Sequence, residues 1–362
     1  MNPFRTIKHY SRYARALSSF WGTPLVSTGA RLVMSRLIYG RGPKEFDEYR
    51  FTRKPLRLWQ SYLPEGERRA LQQRAAPVAY RHLEEVKVEF WKRCKDTGLP
   101  TIPITAVIRP RPGTPLVDGV PVARTADELD AILAPLRHFD GFAKPLAGGQ
   151  GYGAFTFDIR NGNVSGTECS GSVRDLFAYC TTVPFGDGGY LLQPRMRCHP
   201  ALAAVMPGPG LGTVRLNTFL DPDDVVTIPW AVLKVPGPGE IVCNPRLGAL
   251  MLPVDLETGR LGTAVGPTQD QPLVHEVEVH PATGLRFSTA VVPGWPDIVA
   301  LVRRAAHAFR ELPCLGWDVA VLPDGPVLLE TNWAFGIYTQ QIVYNRGLRD
   351  DFRALYARCT RG

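Results

Sequence analysis

Asp318, Glu330 and Asn332 have the residue types and spacing to hold a hard divalent cation. Two apolar runs flank the turn-forming tripeptide Pro323-Asp324-Gly325, so Gly316–Asn332 reads as a β-hairpin. Asp318 falls on its first strand. Glu330 and Asn332 stand two apart on the second and therefore point to one face. The hairpin thus offers three oxygen ligands to a common point, as a cation needs when it keeps some waters and bridges nucleotide phosphates. The alternative is a solvated hairpin whose polar residues alternate outward. Against it, Glu330-Thr331-Asn332 ends an otherwise apolar strand, where a buried carboxylate needs a partner.

A second chemical signal lies upstream. Lys144 precedes Gly148, Gly149, Gly151 and Gly153, and this loop joins two strand-like runs, Phe142–Leu146 and Ala154–Ile159. The P-loop and the dinucleotide fingerprint both open a helix instead, and no Gly-Lys-Ser/Thr ends this loop. A strand–glycine loop–strand unit can fold over a triphosphate so that backbone N–H groups approach its oxygens, with Lys144 as a point charge. A plain hairpin loop would explain the glycines alone. Their pairing with the distal Asp/Glu/Asn hairpin favours the phosphate reading.

These side chains need elements to position them. Residues 1–98 read mainly as helix, with apolar residues at helical spacing over Leu83–Cys94 and a stop at Gly98. Thr101–Ile108 reads as an edge strand because Pro103 is kept from a sheet centre. Residues 109–121, rich in Pro and Gly, read as loop. Thr125 and Glu128 form a capping box ahead of a helix to Leu136. With the strands around the glycine loop they make a small α+β lobe over 99–190. Tyr190–Gln193 then leads into a larger lobe over 191–362, where Val214–Phe219 and Pro229–Val235 alternate like antiparallel neighbours. A helix from Trp295 to Leu312 precedes the hairpin, and residues 337–360 close the chain helically. The fold class is therefore α+β.

Composition narrows the function. The chain has 362 residues, enough for two or three lobes. No apolar run of spanning length occurs, and Arg12 and Arg15 interrupt anything resembling a signal peptide. The 7 cysteines are scattered and never form Cys-x-x-Cys, which argues against a disulfide framework or zinc site and fits a reducing cytoplasm. The net charge is +8, and the first 60 residues account for it, with 12 Lys/Arg against only Glu45, Asp47 and Glu48 and a near-neutral remainder. Interleaved with Tyr10, Tyr13, Phe20 and Trp21, this basic arm suits an anionic membrane surface or an acidic protein, or is simply a solvated helical face. No nucleic-acid module accompanies it, so no nucleic-acid partner is expected.

From about Leu83 to Asn345 the order of the pieces resembles ATP-grasp proteins, most closely the sugar-transfer-associated branch. Five phrases carry the resemblance: Gln193–Pro200, Gly212–Leu216, Val254–Gly259, His280–Gly284 and Leu315–Ala320. One departure is Gly248-Ala249 where the family tends to show paired glycines. The resemblance implies two α+β lobes clasping ATP, with a helical N-terminal extension outside it. It implies Lys87 and Lys144 on the phosphates or adenine edge, Gln193 beside adenine, and Asp318, Glu330 and Asn332 on Mg²⁺. Arg215 would neutralise the γ-phosphate, with Lys234 doing the same or holding a substrate carboxylate. His199 would touch nucleotide or acceptor, or merely cap a helix. The implied activity is ADP-forming ligation of a small-molecule carboxylate to an amine or other nucleophile on an amino acid, amino sugar or peptide, in polysaccharide or natural-product biosynthesis. A small-molecule kinase and a nucleotide-binding scaffold of a glycan assembly complex are the rival readings. Members of this superfamily often self-associate, so a homo-oligomer is a further implication.

Overall fold

The computed structural model describes residues 3–108, 118–146, 151–183, 189–242, 248–268, 271 and 273–360. The chain opens with helices α1 (Pro3–Trp21), α2 (Leu25–Tyr39), α3 (Pro43–Glu48), α4 (Glu65–Ala75), α5 (His82–Glu85) and α6 (Lys87–Asp96). The single helix expected over Leu83–Cys94 breaks at Val86, whose backbone is extended at φ −104, ψ 103. The reason is that this segment feeds two cores. Leu83, Phe90 and Cys94 pack into one, Val86, Val88 and Trp91 into another. A straight helix cannot present both sets along one stripe.

The first sheet comprises β1 (Ala106–Ile108), β2 (Val122–Ala123), β3 (His138–Pro145), β4 (Phe155–Arg160), β5 (Asn163–Gly166), β6 (Ser170–Ser172) and β7 (Tyr190–Pro194). Its order is β2-β1-β7-β3-β4-β5-β6. Strand β1 is therefore interior, not an edge, and Pro103 lies in the coil before it where it removes no ladder hydrogen bond. Helices α7 (Ala126–Leu133) and α8 (Val173–Thr182) cover one face of this sheet, burying Leu129, Leu133 and Leu176 against Phe155, Phe157 and Leu192. The Thr125–Glu128 capping box starts α7 as its spacing requires.

The second sheet contains β8 (Thr213–Leu220), β9 (Val226–Thr227), β10 (Ala231–Val235), β11 (Leu250–Pro253), β12 (Ala264–Gly266) and β13 (His275–Val277). After α9 (Trp295–Ala308) come β14 (Cys314–Leu322) and β15 (Gly325–Asn332), then α10 (Tyr338–Val343) and α11 (Arg349–Cys359). The order β13-β12-β11-β10-β8-β14-β15 places the hairpin at one side, with β8 between it and β10. Strand β14 is buried along its whole length, and Trp317, Val319 and Val321 pack with Ile298, Val302 and Ala305 of α9. The opposite face of this sheet is covered by the N-terminal helices, where Leu17, Leu32, Phe46 and Trp59 meet Val232, Met251 and Val265. The chain is thus an α+β protein with two sheets and a helical N-terminal region. No helix among the described residues is long and apolar enough to cross a membrane.

Candidate active site

The register of β8, β14 and β15 sets Arg215, Asp318 and Glu330 in one cross-strand row, so their side chains share a face. Lys234 of β10 faces Thr213, two residues from Arg215, and reaches the same side. A buried ion triad results. Arg215 donates from Nε to Asp318 Oδ1 at 2.8 Å and from Nη2 to Oδ2 at 2.5 Å, while Lys234 Nζ lies 2.7 Å from Oδ1. The three side chains are only 5 %, 16 % and 13 % exposed for Asp318, Arg215 and Lys234. Burial pushes the Asp318 carboxyl upward, but Arg215 and Lys234 outweigh it and hold it well below the usual carboxylate range.

Strand β15 skips one residue beside this row. Asp318 pairs with Glu330 but Val319 pairs with Leu328, so Leu329 is a bulge. Bulges re-aim neighbouring side chains, and here both Leu329 and Glu330 line the cavity described below. Two residues on, Gly316 lies between Asn217 and Asn332. A Cβ there would meet Phe335 Cβ at 2.9 Å and Asn217 Nδ2 at 3.2 Å, so glycine keeps this row narrow.

Two lysines enter from the other side. Lys144, near the end of β3, is partly buried; burial pulls its pKa down to about 8, with Glu330 acting upward and Lys87 downward. Lys87, the first residue of α6, is placed by the break at Val86 and donates to Leu146 O at 3.3 Å. Burial lowers its pKa too, against the pull of Glu330 and Glu84. Both lysines therefore sit within the field of the hairpin glutamate.

One cavity of 660 Å³ lies between the two sheets. Asp318, Glu330, Asn332, Arg215, Lys234, Lys87, Lys144, Gln193 and Gly151 all contribute. Gln193 is buried and donates to Ile102 O at 3.1 Å. Gly151, at φ +75, lies so close to Val242 that a Cβ would meet its side chain at 2.7 Å. Gly153 O accepts from Tyr190 Oη at 3.0 Å, which pins the loop to β7. Gly148 and Gly149 lie outside the described residues. His199 is not brought to the cavity: its Nδ1 accepts from Ala201 N at 3.1 Å and caps the turn Pro200–Leu202. Arg215 and Lys234 pair with Asp318, while Arg358 binds Asp221 and Arg310 binds Asp224 in the turn after β8.

Several lining residues carry no motif that would have revealed them. Arg195 and Met196 follow β7 directly, inside a phrase already noted, so their place could have been inferred from that strand. Lys44, Glu45, Glu48, Glu65 and Arg68 come from the N-terminal helices and form the opposite wall. Nothing in their spacing marks them.

The cavity fits a polyanion with a metal. Seven cations (Lys44, Arg68, Lys87, Lys144, Arg195, Arg215, Lys234) face five carboxylates (Glu45, Glu48, Glu65, Asp318, Glu330), leaving a positive surplus. Among the described residues, Asn332 Nδ2 and Thr213 Oγ1 are buried there with no hydrogen-bond partner, a deficit a bound ligand would relieve. Among the described residues no group of three His, Cys, Asp or Glu gathers to hold a metal; the hairpin offers two carboxylates and an amide.

The profile of a family described as sugar-transfer associated ATP-grasp matches residues 72–356. The chain belongs to that family. The ATP-grasp match begins within α4, so α1 to α3 lie outside it. Among curated proteins none matches the chain in sequence. Solved structures similar to it include a biotin carboxylase from Campylobacter jejuni, at 12 % identity, TM-score 0.39, covering 75 % of this chain and 48 % of that one. Another is the biotin carboxylase domain of Hydrogenobacter thermophilus 2-oxoglutarate carboxylase with MgADP and bicarbonate, at 13 % identity, TM-score 0.43, covering 82 % and 52 %. A third is the ATP-grasp ligase PsnB with its precursor peptide PsnA2 and AMPPNP, at 13 % identity, TM-score 0.37, covering 79 % and 61 %. The chain spans about half the length of the solved carboxylases it matches.

Proposed function

We propose that the chain is an ATP- and Mg²⁺-dependent ligase that activates a carboxylate as an acyl-phosphate and joins it to an amine or other nucleophile, releasing ADP and phosphate. The observation that carries this reading is the surplus of cations around Asp318, Glu330 and Asn332 within one cavity. Phosphoryl transfer is mostly positioning and charge neutralisation, which this arrangement can supply without a nucleophilic side chain. Asp318, Glu330 and Asn332 would hold Mg²⁺, which when bound offsets charge on the phosphoryl oxygens. Lys144 and Lys87 steer the phosphates, and Gly151 lets backbone come close to them. Arg215 presents a planar fork to a phosphoryl or carboxylate oxygen pair, with Lys234 beside it. Gln193 and the backbone after β7 border the position for the base. The opposite wall, with Lys44, Glu45, Glu48, Glu65 and Arg68, carries both signs and suits an acceptor bearing an amine and a carboxylate, such as an amino acid, an amino-sugar acid or a peptide end.

The test is thermal stabilisation by Mg·ATP in the wild type, Lys144→Ala and Glu330→Gln, followed by ADP release in pools of carboxylates and amines. A shift in the wild type that both variants reduce, with ADP release requiring carboxylate and acceptor together, is expected. A phosphorylated product without ligation would replace the ligase by a kinase. No shift in folded wild-type protein would remove the nucleotide site itself.

A further inference from the structure

The first 44 residues contain no Asp or Glu and 8 Lys/Arg. They fold into the α1–α2 hairpin, anchored on its inner side by Ala14, Leu17 and Leu32. Its outer side is different. On α2, Val26, Ala30, Val33 and Leu37 recur at spacings of four, three and four, which draws one stripe along the helix. Val26 is 85 % exposed, Leu37 79 % and the adjoining Ile38 64 %. Ile7 of α1 is 67 % exposed as well. Single exposed apolar residues are ordinary, but a continuous stripe of them on one helix marks a surface that meets something apolar.

The charge around the stripe identifies the partner. Lys8, Arg12 and Arg15 of α1 and Arg36 of α2 are exposed, whereas Arg31 turns inward to Phe51 O and Arg41 to Trp59 O. A second copy of the chain would bring two acid-free cationic surfaces together, which opposes self-association through this face. An apolar stripe edged by Lys and Arg, with no acid on either helix, is complementary to a bilayer that presents anionic headgroups over acyl chains.

We propose that the α1–α2 hairpin docks the protein on an anionic lipid surface, with Val26, Val33, Leu37 and Ile38 in the headgroup–acyl boundary and Lys8, Arg12, Arg15 and Arg36 on the lipid phosphates. This surface lies outside residues 72–356, so it belongs to this chain's own N-terminal region and not to the family-matched part.

The experiment uses the full chain in co-sedimentation with vesicles of phosphatidylcholine alone or mixed with phosphatidylglycerol, at low and physiological salt. The expected result is partition onto the mixed vesicles only. Val26→Asp combined with Leu37→Asp should lower it at least about tenfold, and Arg12→Glu combined with Arg15→Glu should remove the preference for anionic lipid. All four side chains are exposed, so the melting temperature and the response to Mg·ATP should stay unchanged. Absence of wild-type partition at low salt would overturn the proposal. So would partition indifferent to the aspartate pair, which would be charge attraction without insertion. Light scattering that shows a dimer dissolved by the aspartate pair would assign the stripe to a second copy instead. Stripe-dependent binding to an acidic polypeptide, with none to vesicles, would assign it to a protein.

Discussion

Lys144 is where burial and ligand compete most directly. With its free-state pKa down at about 8, it begins to lose its proton just above neutrality. A bound polyphosphate favours the protonated lysine, so the complex keeps that proton to higher pH than the free protein does. Affinity for Mg·ATP should therefore weaken as pH rises through 8, by up to about tenfold per unit. Calorimetric titrations across that range should show the slope in the wild type and a flat line in Lys144→Met; an unchanged slope in the variant would transfer the effect to another group. Residues of this kind were legible to very different degrees. Asp318, Glu330 and Asn332 share one hairpin, so local spacing alone aligned them. The partnership of Arg215 with Asp318 spans 103 positions, and no pattern in a single sequence marks such a pair. His199 stayed open because a histidine in a Pro-flanked loop reads as ligand or as cap, and only the fold placed its Nδ1 on Ala201 N.

Among the elements, β14 depends most on a missing side chain. Gly316→Ala would press a methyl group onto Phe335 and Asn217 in a strand buried throughout. The substitution should cost about 1–3 kcal/mol, read as a lowered denaturation midpoint. Because Asn332 shares that row, the response to Mg·ATP should fall with it. Elements whose local chemistry is complete were the readable ones. The hairpin declares itself through alternation and Pro323-Asp324-Gly325, and α7 through its capping box. The interior place of β1 and the break at Val86 were not readable, because both follow from which cores the neighbouring residues join. Propensity yields to tertiary packing at such points.

For the whole molecule, the N-terminal helices behave as a structural layer on the second sheet. Asp47 is the polar flaw in that layer. It is buried; among the described residues Oδ2 accepts from Val274 N at 3.3 Å and Oδ1 has no partner. Burial raises its pKa from 3.8 to about 7. Between those values the folded state holds a proton that the unfolded chain has released, so stability falls as pH rises through this window. Lys54 acts in the opposite sense. Burial lowers its pKa from 10.5 to about 7, and stability rises with pH across that interval. A melting-temperature profile should accordingly dip near neutrality. Asp47→Asn should remove the acid-side limb and gain on the order of 2 kcal/mol at pH 8; a dip that persists unchanged would clear Asp47 of the effect. This layer was legible as helix and as basic charge. Its second task, supplying Glu45, Glu48 and Arg68 to the cavity wall, rests on contacts with residues hundreds of positions away and left no trace in local pattern.

The Arg215–Asp318–Lys234 triad gives the resting protein a built-in counter-ion. A bare divalent ion arriving at Asp318 meets a carboxylate whose charge is already answered twice over. A nucleotide would bring the missing half of the exchange, because its phosphates would offer Arg215 and Lys234 new partners and leave Asp318 to the metal. On the proposed reading, a bare ion is not accepted well, and the site takes metal when a nucleotide accompanies it. Idle protein would thus stay indifferent to the surrounding pool of free metal, and take it up only in the company of a triphosphate.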